Sequence, residues 1–141
     1  MRTPQVSGLS MAPRIASGEY VLINTVAYRL GRPERGDIVA FKHERSAPSV
    51  YLKRIIGLPG DRIAIAHGAV FVNGSKLDEP YVRYPDTRSF GAVTVPKDAL
   101  YVLGDNRANS DDSRFWGFVD GPQVIGKAIA GIWPLKAMGS L

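Results

Sequence analysis

The 141-residue sequence contains no cysteine. That excludes a disulfide framework, a thiol nucleophile, an iron–sulfur cluster and a cysteine-based zinc site. Histidine is almost as scarce. His43 and His67 are too far apart for helical metal-ligand spacing, so neither a metal nor any other cofactor is expected. Long apolar runs are missing too. Without a window of about 18 uncharged apolar residues, no segment is expected to span a bilayer as a helix or to act as a signal peptide, and the chain as it stands is expected to be soluble. The 15 Gly and 10 Pro argue against a helical bundle. What remains is a chain long enough to bury about 70% of its unfolded surface without covalent staples, read as one domain over 1–141. Its 18 Lys+Arg against 13 Asp+Glu leave a formal charge of +5, but the basic residues are scattered singly, a weak signal for a polyanion partner.

Short apolar and alternating runs recur along the chain: Tyr20 to Ile23, Asp37 to Phe41, Val50 to Ile56, Arg62 to Ala66, Ala69 to Val72, Ala92 to Val95 and Leu100 to Leu103. They read as strands. Turn chemistry separates them at Arg35-Gly36-Asp37, Pro59-Gly60-Asp61, His67-Gly68 and Asn73-Gly74, the last pair suited to a type I′ hairpin. The expected fold is mainly β, built of antiparallel sheets with few short helical turns, one of them around Asn109 to Arg114. Arg35-Gly36-Asp37 is a strand-entry turn in this reading, not an adhesion tripeptide.

Three segments carry candidate chemistry. Ser10 sits in Val6-Ser7-Gly8-Leu9-Ser10-Met11-Ala12-Pro13, where glycine and proline constrain the loop and neighbouring amides can converge on an oxyanion. An ordinary turn serine fits the same residues, and a serine hydroxyl needs a base before it attacks. Neither histidine has a suitable context. In Tyr51-Leu52-Lys53-Arg54-Ile55-Ile56 the strand period places Lys53 between Tyr51 and Ile55 on one face, with Arg54 on the other. Burial there would favour the neutral amine that a base requires; an edge lysine reaching out to water is the alternative. The third segment, Gly104 to Gly117, follows an apolar strand and is dense in short polar side chains. Ser110 is suited to orienting a neutral lysine, and Asp112 and Arg114 to bracing the loop as an ion pair. A calcium loop using Asp105, Asn109, Asp111 and Asp112 is disfavoured because no terminal bidentate Glu follows.

Ser10-Met11-Ala12-Pro13, Arg35-Gly36-Asp37-Ile38-Val39-Ala40-Phe41, Tyr51 to Asp61 with its K-R-I-I-G-L-P-G-D run, and G-D-N-R-x-N-S-x-D-S-R-x-W-G from Gly104 to Gly117 resemble, in this order, the sequence boxes of type I signal peptidases. The resemblance runs from about Val6 to Pro134. It implies a Ser-Lys serine endopeptidase that removes signal peptides from exported preproteins after small, A-x-A-like residues, at the outer face of the cytoplasmic membrane. It implies Ser10 as nucleophile, Lys53 as general base, Ser110 as the lysine's orienting partner and Asp112 with Arg114 as the supporting ion pair. Arg54 and Gly104 match motif positions near the site. Val6, Met11, Ile15, Tyr51 and Leu52 match substrate-pocket positions, and an extended substrate is expected to add to the strand edge near Tyr51 to Lys53. The partners implied are preproteins and a membrane surface, with no nucleic acid and a monomeric enzyme.

Some positions depart from the pattern. Gly8 stands where many relatives carry a serine that supplies the second oxyanion donor, with Ser7 one place earlier, so Gly8 or its loop backbone is the expected donor. Arg14 stands where the family usually has threonine. Only five residues precede Val6, so the chain is expected to be a catalytic domain lacking its membrane anchor, or one whose true start lies elsewhere, in a compact form without the larger relatives' inserted β-domain. Two rivals remain at this point: an SOS-repressor-type Ser-Lys autoprotease, and a non-catalytic basic β module binding polyanions.

Overall fold

The computed structural model describes residues 1–6, 8–43, 50–133 and 139–141. Ser7 lies outside them. The alternating run from Tyr20 forms β1 (Tyr20–Asn24), whose Val21 and Ile23 face inward. A four-residue helix, α1 (Ala27–Leu30), follows, and the Arg35-Gly36-Asp37 turn leads into β2 (Ile38–Phe41). Gly36 has φ +97 there, a backbone region open chiefly to glycine. The turn is held from inside the fold: Arg35 pairs with Asp61 at 2.8 Å, and Asp37 accepts from the Tyr28 hydroxyl and the Glu34 amide.

The next strand, β3 (Tyr51–Gly57), is buried at every position after Tyr51, because it lies between β2 and β8 (Ala99–Leu103) in a sheet of order β1-β10-β2-β3-β8-β9. It turns at Pro59-Gly60 directly into a second sheet, β6-β5-β4-β7, formed by β4 (Arg62–Ala66), β5 (Ala69–Val72), β6 (Ser75–Lys76) and β7 (Phe90–Thr94). His67-Gly68 and Asn73-Gly74 both have positive φ at the two central residues, the type I′ geometry that matches strand twist. The main sheet is completed by β9 (Val119–Asp120), β10 (Val124–Trp133) and β11 (Gly139–Ser140).

Three apolar clusters hold these layers together. Ile56, Ile63, Ile65, Val95 and Leu103 pack between the two sheets. Met11 and Ile15 from the N-terminal loop pack on Ile38, Ala40 and Leu52, while Val39, Phe41, Ile55 and Val102 form the third cluster. The mainly antiparallel fold therefore agrees with the sequence reading, with three corrections. Strand β7 starts at Phe90 rather than Ala92 and releases Val95, which is buried and trades backbone hydrogen bonds with Gly60 and Asp61. The helical turn expected near 109–114 is α2 (Ser113–Trp116), starting only after Asp112, whose side chain caps it by accepting from the Arg114 amide. The ten-residue β10 was not expected.

Candidate active site

Lys53 is 3% exposed. Its strand lies inside the main sheet between β2 and β8, and the side chain is packed away from bulk solvent rather than extended into it. Val39 sits opposite it on β2, and Ile55 beyond it belongs to an apolar cluster. Desolvation is the main influence on its amine, lowering the pKa from 10.5 to about 8; Asp112 and Asp111 pull it back up and Arg114 pushes it down. An amine with this pKa is substantially neutral at mildly alkaline pH.

The polar loop after β8 supplies the lysine's partner. Lys53 Nζ donates to Ser110 Oγ at 3.2 Å, and Ser110 Oγ donates in turn to Asp112 Oδ2 at 2.8 Å. Since the serine proton is committed to the carboxylate, Ser110 can only accept from the lysine, which leaves the lone pair of a neutral amine free to point elsewhere. Asp112 is fully buried and saturated: it also accepts from the Gly104 amide at 3.0 Å and from Arg114 Nε and Nη2 at 2.8 and 2.9 Å. Arg114 continues to the carbonyls of Ser110 and Arg107. These polar contacts fix the loop from within the protein.

Gly104 brings the serine loop to this cluster. One step beyond the Arg54–Leu103 pair of the β3–β8 ladder, it lies beside Lys53. A Cβ on Gly104 would fall on Ser110 Oγ and on the Ser10 carbonyl, so both groups converge on the space that glycine leaves empty. Ser10 is half-buried, and its carbonyl accepts from the Asn106 amide at 2.8 Å. Among the described hydrogen bonds none joins Ser10 Oγ directly to Lys53 Nζ. Gly8, at φ +96, is exposed, and its amide donates to Ser17 Oγ at 3.2 Å. Arg14, also exposed, donates to the Ser140 carbonyl.

Arg54 lies on the other face of β3 and is buried rather than solvated. It makes a bidentate pair with Asp105 at 2.8 and 2.7 Å, donates to the Gly36 carbonyl and sits 4.1 Å from the Tyr81 ring centroid. Asp105 and Asp112, two carboxylates of the calcium reading, are thereby committed to arginines. Val6, Met11, Ile15 and Leu52 come together in one apolar cluster, with Met11 and Ile15 as its fully buried floor. Tyr51 does not join them; it is 43% exposed and stacks on Phe41 at 6.0 Å. Two residues of this region escaped the sequence reading. Arg107 joins Glu79 to the Gly104 carbonyl, and Asn106 ties down the Ser10 loop. Both stand in the G-D-N-R run, whose spacing marked the segment without separating these two from their neighbours.

An antiparallel β scaffold with a loop serine, a buried lysine of lowered pKa and a serine–aspartate–arginine brace has the make-up of a lysine-assisted serine hydrolase. Comparison with known proteins gives the same class a name. The family described as "Signal peptidase, peptidase S26" matches residues 1–133. The chain is 42% identical over 137 residues to a probable signal peptidase I-2 of Synechocystis, covering 94% of this chain and 63% of that protein. It is 41% identical over 145 residues to a signal peptidase I of Bacillus caldolyticus, covering 93% of this chain and 79% of that one. A crystal structure of a signal peptidase I from Enterococcus faecalis aligns with TM-score 0.60 at 35% identity, over 67% of this chain and 95% of that chain. The chain belongs to the signal peptidase family, peptidase S26, and its fold is that of the signal peptidase I relatives. It spans a little under two thirds of the Synechocystis relative's length. No helix among the described residues is long and apolar enough to cross a membrane.

Proposed function

We propose that this chain is a signal peptidase I endopeptidase domain, cleaving exported preproteins after small residues with Ser10 as nucleophile and Lys53 as general base. The observation that carries this reading is the buried Lys53 amine, with a pKa of about 8, held by Ser110 beside the Ser10 loop. Neutral Lys53 takes the hydroxyl proton as Ser10 Oγ bonds to the scissile carbonyl carbon, then passes it to the leaving amine as the acyl-enzyme forms. A water deprotonated by the same amine releases the acyl group. The two side chains tighten toward each other when substrate excludes solvent, as catalytic contacts do on forming the Michaelis complex.

The Ser10 amide serves as the first oxyanion donor. For the second, the Gly8 loop backbone remains the proposal. The Gly8 amide faces Ser17 Oγ, so its recruitment requires that bond to yield. The β3–β8 ladder begins at Arg54, and among the described residues no strand pairs with 51–53 on the side toward Ser10. An extended peptide laid along this edge gains main-chain hydrogen bonds without selecting side chains, while the Val6–Leu52 cluster offers a shallow apolar seat for small ones. A membrane surface as the working environment, with the site on its extracytoplasmic side, and a monomeric enzyme complete the proposal.

The test is cleavage of a preprotein whose signal sequence ends in A-x-A, with the new N-terminus identified by mass. Wild-type protein should cut after the second alanine, and Ser10→Ala and Lys53→Ala should not cut while remaining folded. Cleavage by either variant removes that residue from the mechanism.

A further inference from the structure

Asn106 grips the serine loop at two successive carbonyls. Its backbone amide donates to the Ser10 carbonyl at 2.8 Å, and its side-chain Nδ2 donates to the Leu9 carbonyl at 3.1 Å. The second contact matters more for chemistry. The Leu9 carbonyl and the Ser10 N–H are opposite ends of one planar trans peptide, so fixing the direction of the oxygen fixes the direction of the N–H. The Leu9 oxygen also accepts from the Ala12 amide at 3.0 Å, but that bond lies within the same short turn and moves with it. Asn106 is the side-chain tie between this peptide and the rigid end of β8.

The residue is well placed for that task. It follows Asp105, which is clamped by Arg54 on β3 and whose amide meets Met11 Sδ, and its own carbonyl accepts from the Asn109 amide. It is 7% exposed, and its Oδ1 is buried without a hydrogen-bond partner among the described residues. A buried amide oxygen left unpaired lowers stability. A leucine of similar shape would avoid that penalty, and among the described residues the one hydrogen bond the side chain makes is the Nδ2 contact to the Leu9 carbonyl.

We propose that Asn106 is a positioning residue, orienting the Leu9–Ser10 peptide so that the Ser10 N–H points at the oxyanion formed during cleavage. The proposal rests on the Ser-Lys reading above and adds to it a group that touches neither substrate nor the reacting atoms. Asn106→Leu removes the donor and the unpaired oxygen at nearly constant shape. Asn106→Asp keeps the shape and replaces the donor by an acceptor.

Each variant is assayed for kcat and KM on a preprotein, for its melting temperature, and for affinity toward a peptide aldehyde ending in alanine. In the aldehyde adduct Ser10 Oγ bonds to the carbonyl carbon, the C=O π bond breaks, the hydroxyl proton passes to Lys53, and the aldehyde oxygen occupies the oxyanion position. The expected result is a loss of tenfold or more in kcat with an equal loss in aldehyde affinity, since a misdirected oxyanion donor acts on charge that develops only in the adduct. KM and the apparent pKa of the rate stay at wild-type values, and the leucine variant melts no lower than wild type. Wild-type kcat and aldehyde affinity in both variants overturn the proposal. So do losses accompanied by a shifted rate pKa or KM, or unfolding of both variants, because these mark a structural role. Ser10→Ala in the same assay separates the two levels: residual cleavage there sinks the Ser-Lys reading itself, whereas an inert Ser10→Ala beside fully active Asn106 variants sinks only this inference.

Discussion

Burial of Lys53 has a thermodynamic signature beside its kinetic one. Its pKa falls from 10.5 to about 8 on folding, so between these values the unfolded chain binds a proton that the folded chain does not. Stability then rises with pH across this window, and is lost again as pH falls through about 8. A shift of this size corresponds to about 3 kcal/mol. Lys53→Met should flatten the rise in chemical-denaturation curves between pH 8 and 10.5, and should leave the protein at least as stable as wild type at pH 7. A rise that persists in the variant assigns it to other groups. Gly104→Ala tests the convergence of the two loops on one point. The added methyl falls on Ser110 Oγ and the Ser10 carbonyl, so cleavage should drop by about a hundredfold or more, the scale of a reacting group displaced by roughly 1 Å. Wild-type turnover would mean that these groups are not held where the structure puts them.

At the level of elements, the loop between β8 and α2 stands on one carboxylate. Asp112 caps the helix, receives the Gly104 amide and Ser110 hydroxyl, and neutralises Arg114. Removing one partner of a buried ion pair leaves the other charged and unpaired, at a cost of about 3–5 kcal/mol. Asp112→Ala should lose stability on this scale in urea, with activity falling alongside; an unchanged denaturation midpoint would contradict the bracing role. A contrasting case lies in the small sheet. Gly74→Ala strains the β5–β6 turn, where φ is +86, by about 1–2 kcal/mol. Cleavage by the folded protein should not change.

The same scale shows why parts of the fold were legible and others not. Strands β4 and β5 emerge with the boundaries expected of them because alternating apolar residues and two glycine turns agree with each other. Strand β10 is Val-Ile-Gly-Lys-Ala-Ile-Ala-Gly-Ile-Trp, and its glycines and alanines weaken any strand signal. The structure supplies the reason for one of them: a Cβ at Gly126 would collide with the Asn24 carbonyl, so the backbones of β1 and β10 approach where no side chain fits. That is a tertiary fact, invisible to local pattern. Ser10 and Lys53 stood out because a glycine- and proline-constrained loop marks the one, a strand face with apolar neighbours marks the other, and the motifs around both resemble a known family, whereas Asn106 acts through a partner 97 positions away and carries no local mark.

Over the whole molecule, the two sheets do different work. The small sheet is tied to the main one through Ile56, Leu103 and their neighbours, while the main sheet carries Lys53 on β3 and receives the serine loop at the end of β8. One buried amine therefore depends on the entire β2-β3-β8 layer for its desolvation, and that dependence can be read directly. The decisive measurement is the pH dependence of kcat/KM for preprotein cleavage between pH 6 and 10, under conditions where chemistry limits the rate. A lysine base in this environment gives a rate that climbs with pH and levels off around an apparent pKa of about 8. A profile that is flat across the range, or that still climbs unchanged after Lys53 is replaced, contradicts it.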